Sequence, residues 1–136
     1  MTDQTTTTRS VVIEREIACP PEKLWRALTQ PLLISEWLMS NDFQPDVGHR
    51  FKFSADWGSV DCAVTEVEPQ KKLAYKWDAM GLESTVTWTL TATIEGTHLR
   101  MEQAGFRADQ NQAYNGAKFG WQQFFGKLEE VLAKLD

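Results

Sequence analysis

Five tryptophans, Trp37, Trp57, Trp77, Trp88 and Trp121, and one glutamine, Gln103, are the residues whose types and spacing point to a function. Indole offers a large apolar surface and a single N–H donor, which suits the wall of a cavity for a small hydrophobic molecule. Any one of these rings could simply fill a core, but as a set they suggest a space that large side chains occupy only in part. Gln103 stands in phase with Leu99 and Met101, so its amide faces inward, where it must find partners or cost a few kcal/mol. It either anchors a ligand or bonds to backbone or water. Tyr75, Cys62 and Tyr114 carry the same two readings, and Phe53, Met101 and Phe125 complete the expected lining.

Catalytic chemistry finds less support. Cys62 has no histidine placed beside it and reads as a small packed residue rather than a nucleophile. His98 alternates outward with Arg100 and Glu102, and His49 falls in a loop or at a strand start, so neither completes a Ser-His-Asp or Cys-His arrangement. Asp61, Glu66 and Glu83 are the only strand-borne acids that paired-carboxylate chemistry could use. No catalytic residue, metal-ligand set or cofactor is nominated. Cys19 and Cys62 form no CxxC pair and are expected as free thiols.

These residues must be positioned by the elements around them. Ser10 to Ala18 alternates as a first strand that Pro20-Pro21 ends. Glu22 to Thr29 carries Leu24, Trp25 and Leu28 at helical spacing, with Pro21 suited to a helix's first turn. Pro31 disfavours the α region at Gln30, and a second short helix restarts through Leu33, Ile34, Trp37 and Leu38. From Asp46 the period drops to two, over Arg50 to Ala55, Val60 to Glu68, Lys72 to Trp77, Ser84 to Glu95 and, after a Glu95-Gly96 turn, Leu99 to Ala104. Within Ser84 to Glu95 the apolar set Val86, Trp88, Leu90, Ala92 and Ile94 alternates with threonines, giving the sheet one dry face.

The last quarter is a helix from about Gln110 to Leu135. Ala113, Tyr114, Ala117, Trp121, Phe124, Phe125, Leu128, Val131, Leu132 and Leu135 form one apolar stripe, so the helix must lie across a surface. Gly116, Gly120 and Gly126 each cost about 1 kcal/mol relative to alanine there. Close approach of a neighbouring backbone is the expected reason, ahead of a softened first half that opens over a cavity. Phe119 projects off the stripe, to pack on the preceding loop or to meet another chain. The fold class that follows is α+β: a curved antiparallel sheet of about six strands, two short helices, and one long C-terminal helix over the concave face.

A chain of 136 residues is the length of one ordinary domain, here residues 10–136 behind a polar, threonine-rich disordered tail at 1–9. The net charge of −5 with scattered lysines and arginines excludes a phosphate-backbone partner, so nucleic acid is not expected. No apolar run approaches the roughly 20 residues that span a bilayer, which predicts no membrane and a cytoplasmic location. A monomer or weak homodimer is expected.

A family resemblance rests on residues specific in kind and order. Near the start stand Ile17, Ala18, Pro20 to Glu22, Leu24, Trp25, Ala27 to Thr29, Pro31 and Trp37. Further on come Val47-Gly48-His49-Arg50-Phe51, then Val64, Val67, Glu68 and Pro69, then Leu73 and Trp77. Val86-Thr87-Trp88-Thr89-Leu90, Gly96-Thr97 with Leu99, Gly105-Phe106, and Gly120-Trp121 with Leu128 follow. In these the chain resembles the START-like, or SRPBCC, superfamily and its group named after the activator of the heat-shock chaperone ATPase. The resemblance covers Val12 to Leu135 and implies a helix-grip fold. It also implies a small apolar ligand held between sheet and terminal helix, with a chaperone-binding role or a cyclase or hydrolase activity as alternatives. His49 stands where a second glycine is usual and Gln103 where a histidine is common, so the resemblance implies a different cavity chemistry from members in which that histidine contributes to a ligand site.

Overall fold

The computed structural model describes residues 8–135. Most of the stretch read as a tail lies outside them, and its last two residues, Thr8 and Arg9, open strand β1 (Thr8–Ile17). Helices α1 (Pro21–Thr29) and α2 (Pro31–Trp37) follow, each with proline in its first turn. Between them Gln30 is extended, at φ −92° and ψ 120°, as a residue before proline must be. Helix α2 begins at Pro31 itself rather than at Leu33, because a proline at the first helical position forfeits no hydrogen bond.

Strands β2 (Ser40–Asn41), β3 (Arg50–Ala55), β4 (Gly58–Glu68), β5 (Lys72–Ala79), β6 (Leu82–Ala92) and β7 (Thr97–Arg107) then lead into α3 (Asn111–Lys134). One antiparallel sheet orders them β1-β7-β6-β5-β4-β3-β2. Alternation predicts six strands; the seventh is β2, whose two residues are too few to carry a period. The architecture is an α+β helix grip, in which α3 packs on α1, α2, β1 and β7.

The β6–β7 connection corrects the sequence reading. Thr93 N–H donates to the Gly96 carbonyl at 2.9 Å, which leaves Ile94 and Glu95 at the loop tip. Ile94 is fully exposed and Ala92 is exposed too, so the dry face of β6 ends at Leu90. Gly96 is required by contact: a Cβ there would lie 2.1 Å from the Ile17 carbonyl oxygen. That approach seats the turn against the β1–α1 junction, where the Thr97 hydroxyl donates to the Cys19 carbonyl at 2.8 Å.

Helix α3 divides into two halves. Trp121, Phe125, Leu128, Val131 and Leu132 are buried, each adding roughly 1.5–3 kcal/mol of apolar burial. Before Trp121 the stripe is only partly covered: Ala113 is exposed, and Tyr114 and Ala117 are half-buried. The glycines do not admit a close backbone, since a Cβ at Gly116, Gly120 or Gly126 would meet no atom within 4 Å. Phe119 is 68 % exposed and is not packed on the preceding loop.

On the outer face His98 Nε2 lies 2.8 Å from a Glu14 carboxylate oxygen, and Nδ1 meets Glu16. The hydrogen bonds to Glu16 and then Glu14 raise its pKa above the ordinary 6.5. Stability from this cluster is complete below about pH 6.5 and is lost as pH rises through the raised folded value. Urea unfolding of wild type and His98→Gln at pH 5.5 and 8.5 checks this. The wild-type advantage is expected at the lower pH and should shrink at the higher one; an equal or reversed difference contradicts it.

Candidate functional site

The space between the sheet and the second half of α3 is filled. Trp88 is completely buried, with its ring centroid 5.7 Å from each of Trp37, Trp121 and Phe125. Phe53, Cys62, Tyr75 and Met101 are buried in the same core, and Tyr75 accepts a hydrogen bond from the Trp88 indole at 3.0 Å. Burial pushes the Tyr75 hydroxyl and Cys62 thiol pKa values up, the thiol further through Asp78, Asp61 and Asp42, so both stay protonated near neutrality. Trp37 is fixed separately by its N–H bond to the Ala27 carbonyl at 2.9 Å.

Beside this core lies an open groove of about 490 Å³ between the first half of α3 and the β5–β6 hairpin. Ala113, Gly116, Ala117 and Gly120 make one wall, at the i, i+3, i+4, i+7 spacing of a single helix face. Ala79, Met80 and Leu82 face them, with Trp57 from the β3–β4 turn at the rim. Trp77, Gln103 and Trp121, all buried, form the floor, and Phe124, Gln110 and Gln112 complete the lining.

Four expected cavity residues therefore meet at one groove: Trp57, Trp77, Gln103 and Trp121. Trp37, Phe53, Cys62, Tyr75, Trp88, Met101 and Phe125 are core neighbours outside it, and Tyr114 looks toward β1 instead. Sequence reading passed over Met80 and the small-residue face. The latter was visible as alanines and glycines at helical spacing; the former follows from a turn, since Met80 and Gly81 both have positive φ, 49° and 85°. Two such residues between the paired Ala79 and Leu82 fit a type I′ hairpin. A methionine there costs roughly 1–2 kcal/mol over glycine, and it leaves Met80 87 % exposed at the groove mouth.

A directional relay holds the floor. The indole N–H of Trp121 can only donate, and it does so to Gln103 Oε1 at 2.7 Å. That fixes the amide's orientation, so Gln103 Nε2 donates to the Ser84 hydroxyl at 3.0 Å. Ser84 in turn donates to the Trp77 carbonyl at 2.6 Å, and its own N–H meets Asp78 Oδ1 at 3.3 Å. Every polar contact in this chain has matching donor and acceptor roles.

A larger depression of about 880 Å³ lies among the outward-facing Arg50, Lys52, Lys76, Asp61 and Asp78. Most of its lining residues are charged or polar, and of the expected cavity residues it touches only Cys62; Lys52 and Asp61 pair across it at 3.3 Å. Asp61, Glu66 and Glu83 all project outward, so they do not converge on the groove. Among the described residues no three His, Cys, Asp or Glu side chains are grouped to hold a metal ion. No helix among the described residues is long and apolar enough to cross a membrane.

Comparison with known proteins adds the following. The family model described as Activator of Hsp90 ATPase homolog 1-like protein matches residues 18–133. Protein MLL2253 from Mesorhizobium loti is 62 % identical, with a TM-score of 0.92 over 94 % of this chain and 99 % of that one. Protein BH1534 from Bacillus halodurans is 25 % identical, with a TM-score of 0.82 over 95 % and 99 %. DynU16, from the dynemicin biosynthetic locus, is 26 % identical with a TM-score of 0.82 over 91 % of this chain, which spans only 47 % of DynU16. No curated protein matches.

Gln103→Leu leaves the Trp121 indole and Ser84 hydroxyl without their partner and is expected to cost about 1–3 kcal/mol in urea unfolding. Adding Trp121→Phe, which removes the orphaned donor, should make the two losses less than additive. Full additivity, or a neutral Gln103→Leu, contradicts the relay.

Proposed function

This chain belongs to the Activator of Hsp90 ATPase homolog 1-like family, and from that premise we propose that it binds a small, uncharged, apolar molecule in the groove beside Trp121. The observation that carries the reading is chemical: among the described residues none that lines the groove bears a charge, although 24 % of the chain is charged. A charged ligand would lose its hydration there with nothing to compensate it. Aromatic rings from Trp57, Trp77, Trp121 and Phe124 favour a flat, unsaturated partner, and the Met80 thioether can pack against a ring edge.

The bare face of α3 completes the fit. Gly116 and Gly120 lower helix propensity while touching nothing, which is a stability cost without a packing return. Their contribution is space: a ligand can lie flat against the helix backbone where any larger side chain would stand. Gln103 keeps one amide proton and one lone pair beyond the two bonds described, enough for a single directional contact from the floor. The likeness to DynU16, a protein of a biosynthetic locus, is in keeping with a small organic ligand.

Fluorescence titration with the neutral probe N-phenyl-1-naphthylamine tests the proposal. Saturable enhancement is expected for wild type. Gly116→Leu should raise helix stability by roughly 0.5–1 kcal/mol and yet abolish the enhancement, because its side chain fills the groove. Undiminished binding by that variant, or no binding by wild type, overturns the reading.

A further inference from the structure

The opposite flank of α3 carries a second groove that ligand binding leaves unused. It encloses about 330 Å³ between Ser10, Val11, Val12 and Ile13 of β1 and Tyr114, Lys118 and Gln122 of α3. Strand β1 ends the sheet: β7 is its one neighbour, and among the described residues no strand flanks its outer edge. A ten-residue edge strand offers a row of backbone donors and acceptors to an added chain.

On the side that faces α3 the charge at this edge has one sign. Odd-numbered residues of β1 face α3, with Val11 and Ile13 buried and Arg9 and Arg15 at either end. Arg9 lies 4.0 Å over the Tyr114 ring and donates to Asn111; Arg15 lies 5.6 Å over the Phe125 ring and donates to Gln122 Oε1 at 2.6 Å. Lys118 stands 5.5 Å from the centre of the Tyr114 ring. All of these partners are neutral, and among the described residues none of the three cations sits in an ion pair. The strand's own acids, Glu14 and Glu16, turn to the other face and hold His98. Rings and amides thus fix the cations in place without neutralising them, on a protein whose net charge is −5.

We propose that this edge takes an acidic, extended segment of a partner polypeptide, added as an eighth strand beside β1. Its backbone pairs with the free edge, and carboxylates at alternate positions meet Arg9, Lys118 and Arg15. The two arginines stand six positions apart, about 20 Å of strand, so a segment of roughly seven residues spans the site. The same cations select against self-pairing, because a second copy's β1 brings another Arg9 and Arg15 to a groove that is already positive.

Heteronuclear NMR titration of the full chain tests this with a seven-residue peptide of alternating glutamate and valine. Amide shifts centred on Ser10 to Ile13 and Lys118 are expected, weakening as salt rises. Lys118→Glu should reduce affinity about fivefold or more. The same peptide N-methylated at alternate residues cannot pair with the edge and should not bind. The proposal is overturned by no shift with the parent peptide, or by equal binding of a lysine-valine peptide or of the methylated one. Matching shifts from free glutamate, β1-mediated dimerisation in place of peptide binding, or shifts confined to the groove beside Trp121 overturn it as well.

Discussion

The indole N–H of Trp121 is a donor buried at the point where α3 parts from the sheet, and Gln103 is the acceptor that makes this burial tolerable. An unpartnered indole there would cost about 1–3 kcal/mol. Through Ser84 the same amide reaches the backbone of Trp77, so one hydrogen-bonded chain links α3, β7, β6 and β5. That link fixes two aromatic floors at once. Toward the C-terminal end of α3 it sets the register in which Trp88, Phe125 and Leu128 close the core; toward the N-terminal end it leaves a shaped, uncharged groove.

The division of α3 follows from side-chain volume. Beyond Trp121 the inward positions are large and the sheet meets them. Before it they are alanine and glycine, so the helix stands off from the β5–β6 hairpin and the gap remains unfilled. A side chain could fill that gap without a clash, because a Cβ at either glycine meets nothing within 4 Å. Retaining glycine costs helix propensity, and an exposed methionine in a left-handed turn adds strain at the same mouth. Two kinds of local cost, at Gly116 and Gly120 and at Met80, converge on one place.

Much of the fold was legible because period and punctuation are local properties. The alternation of Val86, Trp88 and Leu90, the prolines at 21 and 31, and the inward phase of Leu99, Met101 and Gln103 all led directly to the observed elements. What failed depended on distance in space. Ile94 continues the alternation of β6, yet the turn geometry and Gly96's contact with Ile17 end the strand two residues earlier. The apolar stripe of α3 is continuous in sequence, but only its second half is buried; in the first, Tyr114 packs on Phe106 while Ala113 stays exposed. Of the candidate site, Trp57, Trp77, Gln103 and Trp121 could be named from residue type or phase, whereas separating them from core tryptophans such as Trp88 required the packing itself. Met80 carried no signal in its own identity, since its position comes from the backbone of a two-residue turn.

The most direct measurement of the central claim is a set of intermolecular NOEs between a bound neutral aromatic molecule and the protein's methyl groups. Contacts to the Ala113 and Ala117 methyls and to the Met80 methyl are expected, with the Trp121 indole proton still bonded to Gln103. Contacts only to Leu128, Val131 or Leu132, at the filled end of α3, would contradict it.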